Sequence, residues 1–286
     1  MSHSPTAVLL VSCPDQRGLV AQVSSFVFRN EGNIIHSDHH TDAETGLFLM
    51  RVEWELDGFR LTRDALQSQL AQLGQALNMR WEVRFSDYRQ RIAILVSKYS
   101  HCLYDLLLRS SEGELRGEIA LILSNHPDLE PVAHRFGIPY HHIPVTKETK
   151  PEQEKKQLAL LAEQGVDLVI LARYMQILSE DFVSRYPNRI INIHHSFLPA
   201  FVGARPYHQA YERGVKLIGA TSHYVTAQLD EGPIIEQDVA RISHRDTVDD
   251  LLRKGRDLER VVLARAVRLH LEHRILPYGR KTVIFD

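Results

Sequence analysis

Apolar positions along the chain follow two rhythms, one with period two and one helical. Ala7–Ser12 is a short apolar run stopped by Cys13-Pro14-Asp15, after which Leu19, Val23, Phe26 and Val27 recur at helical spacing. Gly32-Asn33 makes a turn, and Ile34–Asp42 and Gly46–Glu55 read as two longer strands of a hairpin. Thr62–Leu77 puts Leu66, Leu70, Leu73 and Leu77 on one helical face, with Thr62 as N-cap. Arg80–Phe85 alternates polar and apolar residues and closes a βαββαβ order. That order predicts a ferredoxin-like sandwich of helices on an antiparallel sheet over residues 1–86.

A polar joint, residues 87–90, leads to a βα alternation that predicts a second domain over 91–286. Strands are expected at Ile92–Val96, Ile119–Leu123, Tyr140–Ile143, Val166–Leu171 and Ile190–Ile193. Helices are expected from about Leu103 to Arg109, near Val132, and from Pro151 to Glu163; Phe182–Tyr186 is a further apolar element. Alternation of this kind argues for a mostly parallel, Rossmann-like sheet covered on both faces. Leu217–Val225, Ile234–Val239, a helix from Val248 to Glu272 and Thr282–Phe285 complete the expected domain. No internal repeat or low-complexity tract interrupts it.

Composition narrows the class without naming a chemistry. The 286 residues are 44% hydrophobic and 24% charged, with a formal net charge of −2. That balance argues against a nucleic-acid partner, which calls for a basic excess. No apolar run is long enough to span a bilayer, so no membrane partner is expected. Met1-Ser2-His3-Ser4-Pro5 lacks a leader-peptide pattern, and only Cys13 and Cys102 are present. Both points favour a cytoplasmic protein in a reducing compartment. Sixteen histidines invite a metal, above all His36-x-x-His39-His40 and His141-His142. Adjacent histidines on a strand face opposite ways, and no carboxylate or cysteine completes a set, so no metal is expected.

The densest chemistry lies in Asn192-Ile193-His194-His195-Ser196-Phe197-Leu198-Pro199 and in Leu229-Asp230-Glu231-Gly232-Pro233. Asn192 and His194 are two apart in a β-branched run, so a strand puts both side chains on one face about 6.5 Å apart. An amide, an imidazole and a carboxylate suffice to move a formyl group. Asn192 can donate to a tetrahedral oxyanion, His194 can protonate the departing amine, and Asp230 can orient His194 and the attacking water. Taken singly, each also reads as structure: an amide at a strand end, a core histidine, an aspartate in a turn.

Two resemblances sharpen this reading. Pro14-Asp15-Gln16-Arg17-Gly18-Leu19-Val20-Ala21 with Gly32-Asn33-Ile34 resembles the ACT regulatory domain. The resemblance implies that Asp15, Gly18, Asn33 and Ile34 hold a small amino acid at a subunit interface. The residues alone read equally as a cap and a turn into the helix. Asn192-Ile193-His194-x-Ser196-x-Leu198-Pro199, Gly219-Ala220-Thr221-x-His223-Tyr224-Val225 and Leu229-Asp230-x-Gly232-Pro233-Ile234-Ile235 resemble, in that order, the formyltransferase domain that uses formyltetrahydrofolate.

That likeness spans about Arg91 to Val239. It implies a catalytic role for Asn192, His194 and Asp230, with His223 supporting them; His195 beside His194 is a further supporting candidate. It implies a folate pocket lined by Arg173, Met175, Gln176, Ile177 and Leu178, and a closing loop from Val225 through Gln228 to Asp230. Core packing is the rival reading for Met175, Ile177 and Leu178.

Phosphate-binding transferases of this kind carry a glycine-rich loop after the first strand of the domain. Here that stretch is Ser97-Lys98-Tyr99-Ser100-His101-Cys102-Leu103, with no glycine and with added bulk. His195 also stands where those transferases have proline. Together with the preceding ACT-like segment, these departures resemble the formyltetrahydrofolate deformylase family, which passes the formyl group to water. The resemblance implies hydrolysis of 10-formyltetrahydrofolate as substrate with no cofactor. It also implies an amino-acid effector (glycine or methionine) and a homo-oligomer, expected to be a tetramer. The formate would serve purine synthesis or folate recycling, a choice left open. The alternatives are transfer to an amine such as glycinamide ribonucleotide, or a catalytically dead sensor. His101 and His195 can each order a hydrolytic water, and Cys102 reads either as a nucleophile or as an inert wall.

Overall fold

The computed structural model describes residues 4–200 and 206–286. Met1–His3, read above for a leader pattern, lie outside them. The chain forms two compact units. One holds the chain up to Arg89 together with Glu272–Leu276 and Val283–Asp286, and the other holds Gln90–Leu271 and Pro277–Thr282.

In the first unit, β1 (Thr6–Pro14), β2 (Ile34–Asp42), β3 (Leu47–Glu55) and β4 (Arg80–Phe85) form an antiparallel sheet in the order β2-β3-β1-β4. Helices α1 (Leu19–Arg29) and α2 (Arg63–Leu77) complete the expected βαββαβ unit. Thr62 caps α2, its side chain accepting the Ala65 N–H at 3.3 Å. Leu9, Val11, Val23, Val27, Met50, Trp54, Leu66 and Leu70 form its core. The helical spacing of the leucines on α2 therefore marks the face that the sheet buries.

The second unit begins with β5 (Gln90–Val96), α3 (His101–Ser111), β6 (Gly117–Ser124), α4 (Glu130–Arg135) and β7 (Tyr140–His142). It continues through α5 (Lys150–Glu163), β8 (Leu168–Leu171), α6 (Glu180–Arg185) and β9 (Ile190–His194). Then come α7 (Pro206–Arg213), β10 (Leu217–Tyr224), β11 (Ile234–Arg241) and α8 (Val248–Leu271). The sheet order is β11-β10-β9-β8-β5-β6-β7. β5 to β9 run parallel, while β10 and β11 are antiparallel additions. The chain winds outward from β5 to β7, then returns to place β8 on the other side of β5. Such a reversal opens a crevice at the carboxyl ends of the strands, where α/β sheets hold ligands.

Two features differ from the sequence reading. α7 was not anticipated; its polar sequence hides the short buried face of Tyr207 and Ala210. The expected single segment 91–286 is interrupted. β13 (Lys281–Ile284) does not join the large sheet but pairs with β12 (Ile275–Tyr278), and residues 272–276 and 283–286 group with the first unit. Arg51, 5% exposed, donates to the Glu272 and His273 carbonyls, and His36 Nε2 lies 2.7 Å from the Asp286 carbonyl oxygen. Arg51 also pairs with Glu53 two residues on at 2.8 Å, but its backbone partners lie more than two hundred residues away, which local pattern cannot show.

Candidate active site

The carboxyl end of β9 brings the expected residues together. Asn192 pairs in register with His223 of β10, and His194 pairs with Thr221. The Asn192 side-chain nitrogen lies 3.2 Å from His223 Nε2, and His223 Nδ1 lies 2.9 Å from the Tyr224 carbonyl oxygen. A carbonyl only accepts, so Nδ1 carries the hydrogen and Nε2 accepts one Asn192 N–H. The second N–H of that amide stays available for a substrate oxygen.

Asp230 reaches the same point from the connection between β10 and β11. Its Oδ1 is 3.3 Å from His194 Nδ1 and 3.7 Å from His223 Nε2. Asp230 holds a left-handed backbone, φ 57°, which few non-glycine residues adopt and which tends to occur at working sites. Gly232 makes the turn possible, because a Cβ there would stand 1.7 Å from the Tyr224 carbonyl oxygen. The His194 ring N–H, with the His223 ring close by, holds the Asp230 carboxyl well below the usual carboxylate range, outweighing its burial. His194 is 6% exposed, and its Nε2 has no hydrogen-bond partner.

The segment after the two histidines is tied down by Thr221. Its hydroxyl donates to the Ser196 carbonyl at 2.9 Å and accepts the Leu198 N–H at 3.0 Å and the Gln237 side-chain N–H at 2.9 Å. His195 follows directly. Burial, then the Arg173 charge, lowers its pKa to about 4, so it is neutral at ordinary pH.

These groups share a cavity of about 670 Å³ lying wholly within the second unit. Met175 and Ile177 line it while remaining 52% and 60% exposed, as apolar groups awaiting an apolar partner do. Leu178 lines it too but is 8% exposed and belongs to the core. Gln176, Val225, Leu229 and Asp230 lie on the same cavity. Gln228 sits on that loop but is not among the lining residues, and its carbonyl accepts the Thr226 hydroxyl at 3.0 Å. Ser97 pins the 173–178 segment, accepting the Met175 N–H at 3.0 Å and donating to Asn125 at 2.6 Å.

Arg173 lines the cavity through a guanidinium that is 4.8 Å from the Tyr99 ring centroid and paired with Glu259 at 3.5 Å. Tyr207 and Glu259 were not singled out from sequence. They lie on a polar helix and mid-way along a long amphipathic one, and no spacing motif marks them. His101, Cys102 and Glu259 offer ligand atoms that all lie within 4.8 Å of one another. The Arg173 cation on the same carboxylate makes this a poor host for a metal ion. Burial, then the Glu259 charge, pushes the Cys102 thiol well above its ordinary value, and Cys102 is not among the residues lining the cavity, so it reads as an inert buried thiol rather than a nucleophile.

In the first unit, Gly18 precedes α1 at φ 87° with no side-chain cap on that helix, and Asp15 donates its N–H to the Gly46 carbonyl at 2.8 Å. Asn33 donates to Glu55 at 2.8 Å, and Ile34 begins β2.

Comparison with known proteins gives the family. The formyl transferase family model matches residues 90–267, and the chain belongs to that family. Several relatives match nearly the whole chain. A formyltetrahydrofolate deformylase of Synechocystis sp. is 65% identical over 280 residues, covering 98% of each chain. The crystal structure of a formyltetrahydrofolate deformylase from Pseudomonas syringae pv. tomato matches with a TM-score of 0.97 at 46% identity, over 99% of this chain and 95% of that one. A glycinamide ribonucleotide transformylase from Symbiobacterium toebii matches 71% of this chain and 97% of its own, with a TM-score of 0.65 at 37% identity. Within the formyl transferases, the chain belongs to the formyltetrahydrofolate deformylases.

Proposed function

We propose that the protein hydrolyses 10-formyltetrahydrofolate to formate and tetrahydrofolate. The observation that carries this reading is the convergence of Asn192, His194 and Asp230 on one cavity whose neighbouring wall offers exposed Met175 and Ile177. Water oriented by Asp230 attacks the formyl carbon, and the oxyanion takes the free Asn192 N–H. His194, held by Asp230, passes a proton to N10 as the C–N bond breaks. Formic acid leaves and ionises.

The first unit, in this reading, is an ACT-like regulatory domain that binds glycine or methionine near Asp15, Gly18, Asn33 and Ile34. Its support is the left-handed Gly18 ahead of a helix whose first N–H groups have no side-chain cap. Association through these units would give a homo-oligomer, with a tetramer as the expected size.

One assay tests the scheme. Supplied with 10-formyltetrahydrofolate and no amine, the protein should release one formate per tetrahydrofolate, and glycine or methionine should change that rate. Turnover only after glycinamide ribonucleotide is added would replace hydrolysis by transfer.

A further inference from the structure

Behind His195 the cavity wall is built around one buried carboxylate. Glu259 of α8 is 1% exposed. Its Oε1 accepts the Tyr207 hydroxyl at 2.8 Å, its Oε2 lies 2.7 Å from His101 Nε2, and Arg173 Nε stands 3.5 Å from the same oxygen. The wall leads straight back to the reacting groups. The His195 ring centroid is 6.3 Å from that of Tyr207 and 5.2 Å from that of His194. Gly255, one turn before Glu259 on the same helix face, seats the tyrosine, since a Cβ there would come within 2.2 Å of the Tyr207 hydroxyl. The wall is also tight: Arg173 Nε and Nη1 are sealed from solvent.

Stability alone does not explain such a knot. Desolvating a carboxylate and a guanidinium costs much of what their attraction returns, and a packed apolar wall of equal volume would be as stable or more so. The chemistry of the formyl group supplies a reason. A neutral amine is intrinsically a far better nucleophile than water toward a formyl carbon. A catalyst that delivers the group to water among amines therefore has to keep amines out by shape and charge.

We propose that Glu259 determines specificity: by drawing Tyr207, His101 and Arg173 onto one carboxylate, it closes the cavity behind His195 to amine acceptors while leaving room for water. The inference rests on the hydrolase reading. With water, a C–O bond forms, the C–N10 bond breaks, and a water proton ends on N10. With an amine, a C–N bond would form instead and the amine proton would end on N10. The wall acts before that fork, by deciding which nucleophile reaches the carbon.

The test follows where the formyl group goes when glycinamide is present at millimolar concentration. Formate, tetrahydrofolate and formylglycinamide are measured together for the parent protein, His101→Ala and Glu259→Ala. The parent should give one formate per tetrahydrofolate with or without glycinamide. His101→Ala opens the wall without stranding the buried carboxylate, which keeps Arg173 and Tyr207, so it carries the test if Glu259→Ala fails to fold. In either folded variant, formylglycinamide should appear and the ratio of formate to tetrahydrofolate should drop about tenfold. Folded variants that still give one formate per tetrahydrofolate would overturn the proposal, as would formylglycinamide made by the parent. A parent that releases no formate without an amine would instead overturn the hydrolase reading.

Discussion

At the scale of single residues, Asp230 has the most to do. Its Oδ1 lies 3.3 Å from His194 Nδ1 and 3.7 Å from His223 Nε2, which places it to orient His194 in the proposed reaction. Its depressed pKa keeps it ionised through the neutral range, so its carboxylate contributes stability that is lost only as pH falls below the ordinary carboxylate value. Asp230→Asn keeps the shape but gives His194 an amide that cannot stabilise an imidazolium. The rate of formate release should fall about a thousandfold or more, and the unfolding midpoint should drop at neutral pH, where the carboxylate's stabilisation is fully present, while the variant still folds. Steady-state kinetics beside thermal unfolding would check both halves. Activity within a few-fold of the parent would remove Asp230 from the mechanism.

At the scale of elements, β10 works as the frame of the site. One face of it presents His223 to Asn192, and Thr221 on the same strand holds the segment that follows His194. Thr221 is fully buried, so Thr221→Val would leave the Leu198 N–H and the Ser196 carbonyl without a partner in a dry interior. Two stranded backbone groups should cost about 3 kcal/mol, and the freed segment should let His194 and His195 drift. Urea unfolding should show that loss alongside a lower kcat. A variant with unchanged stability would mean that the backbone finds other partners. The same strand explains Gly232: β10 and β11 come so close at their turn that any side chain there collides with the Tyr224 carbonyl.

Over the whole molecule, each unit carries a half-buried histidine whose pKa is lowered to about 4. In the second unit it is His195, through burial and the Arg173 charge; in the first it is His273, through burial and the charges of Arg84 and Arg51. Both are neutral when folded, whereas the unfolded chain protonates near 6.5. Between those values the unfolded state binds more protons, so stability falls as pH drops from about 6.5 to about 4 and these groups add nothing further below that. The loss is of order 3 kcal/mol at most for each. His273→Asn, which suits the left-handed φ of 53° at that position, should flatten the acid side of the stability curve of the first unit. Urea midpoints measured across that range would show it, and an unchanged slope would exclude His273 as the source.

Much of the site was legible in the chain because its signals are local. Asn192 and His194 share a strand face by period alone, Asp230 sits beside the glycine that its turn requires, and the leucines of α2 mark a buried face before any sheet is seen. Tertiary structure alone decided the rest. The register between β9 and β10 set His223 against Asn192, and the return of the last residues to the first unit gave Arg51 its carbonyl partners. The gathering of Arg173, Tyr207 and His101 on Glu259 joined residues up to 158 positions apart in sequence. Periodicity reports which face a residue occupies, because that depends only on backbone geometry within a few residues. Which distant side chain it meets depends on how whole elements pack, and no local spacing encodes that.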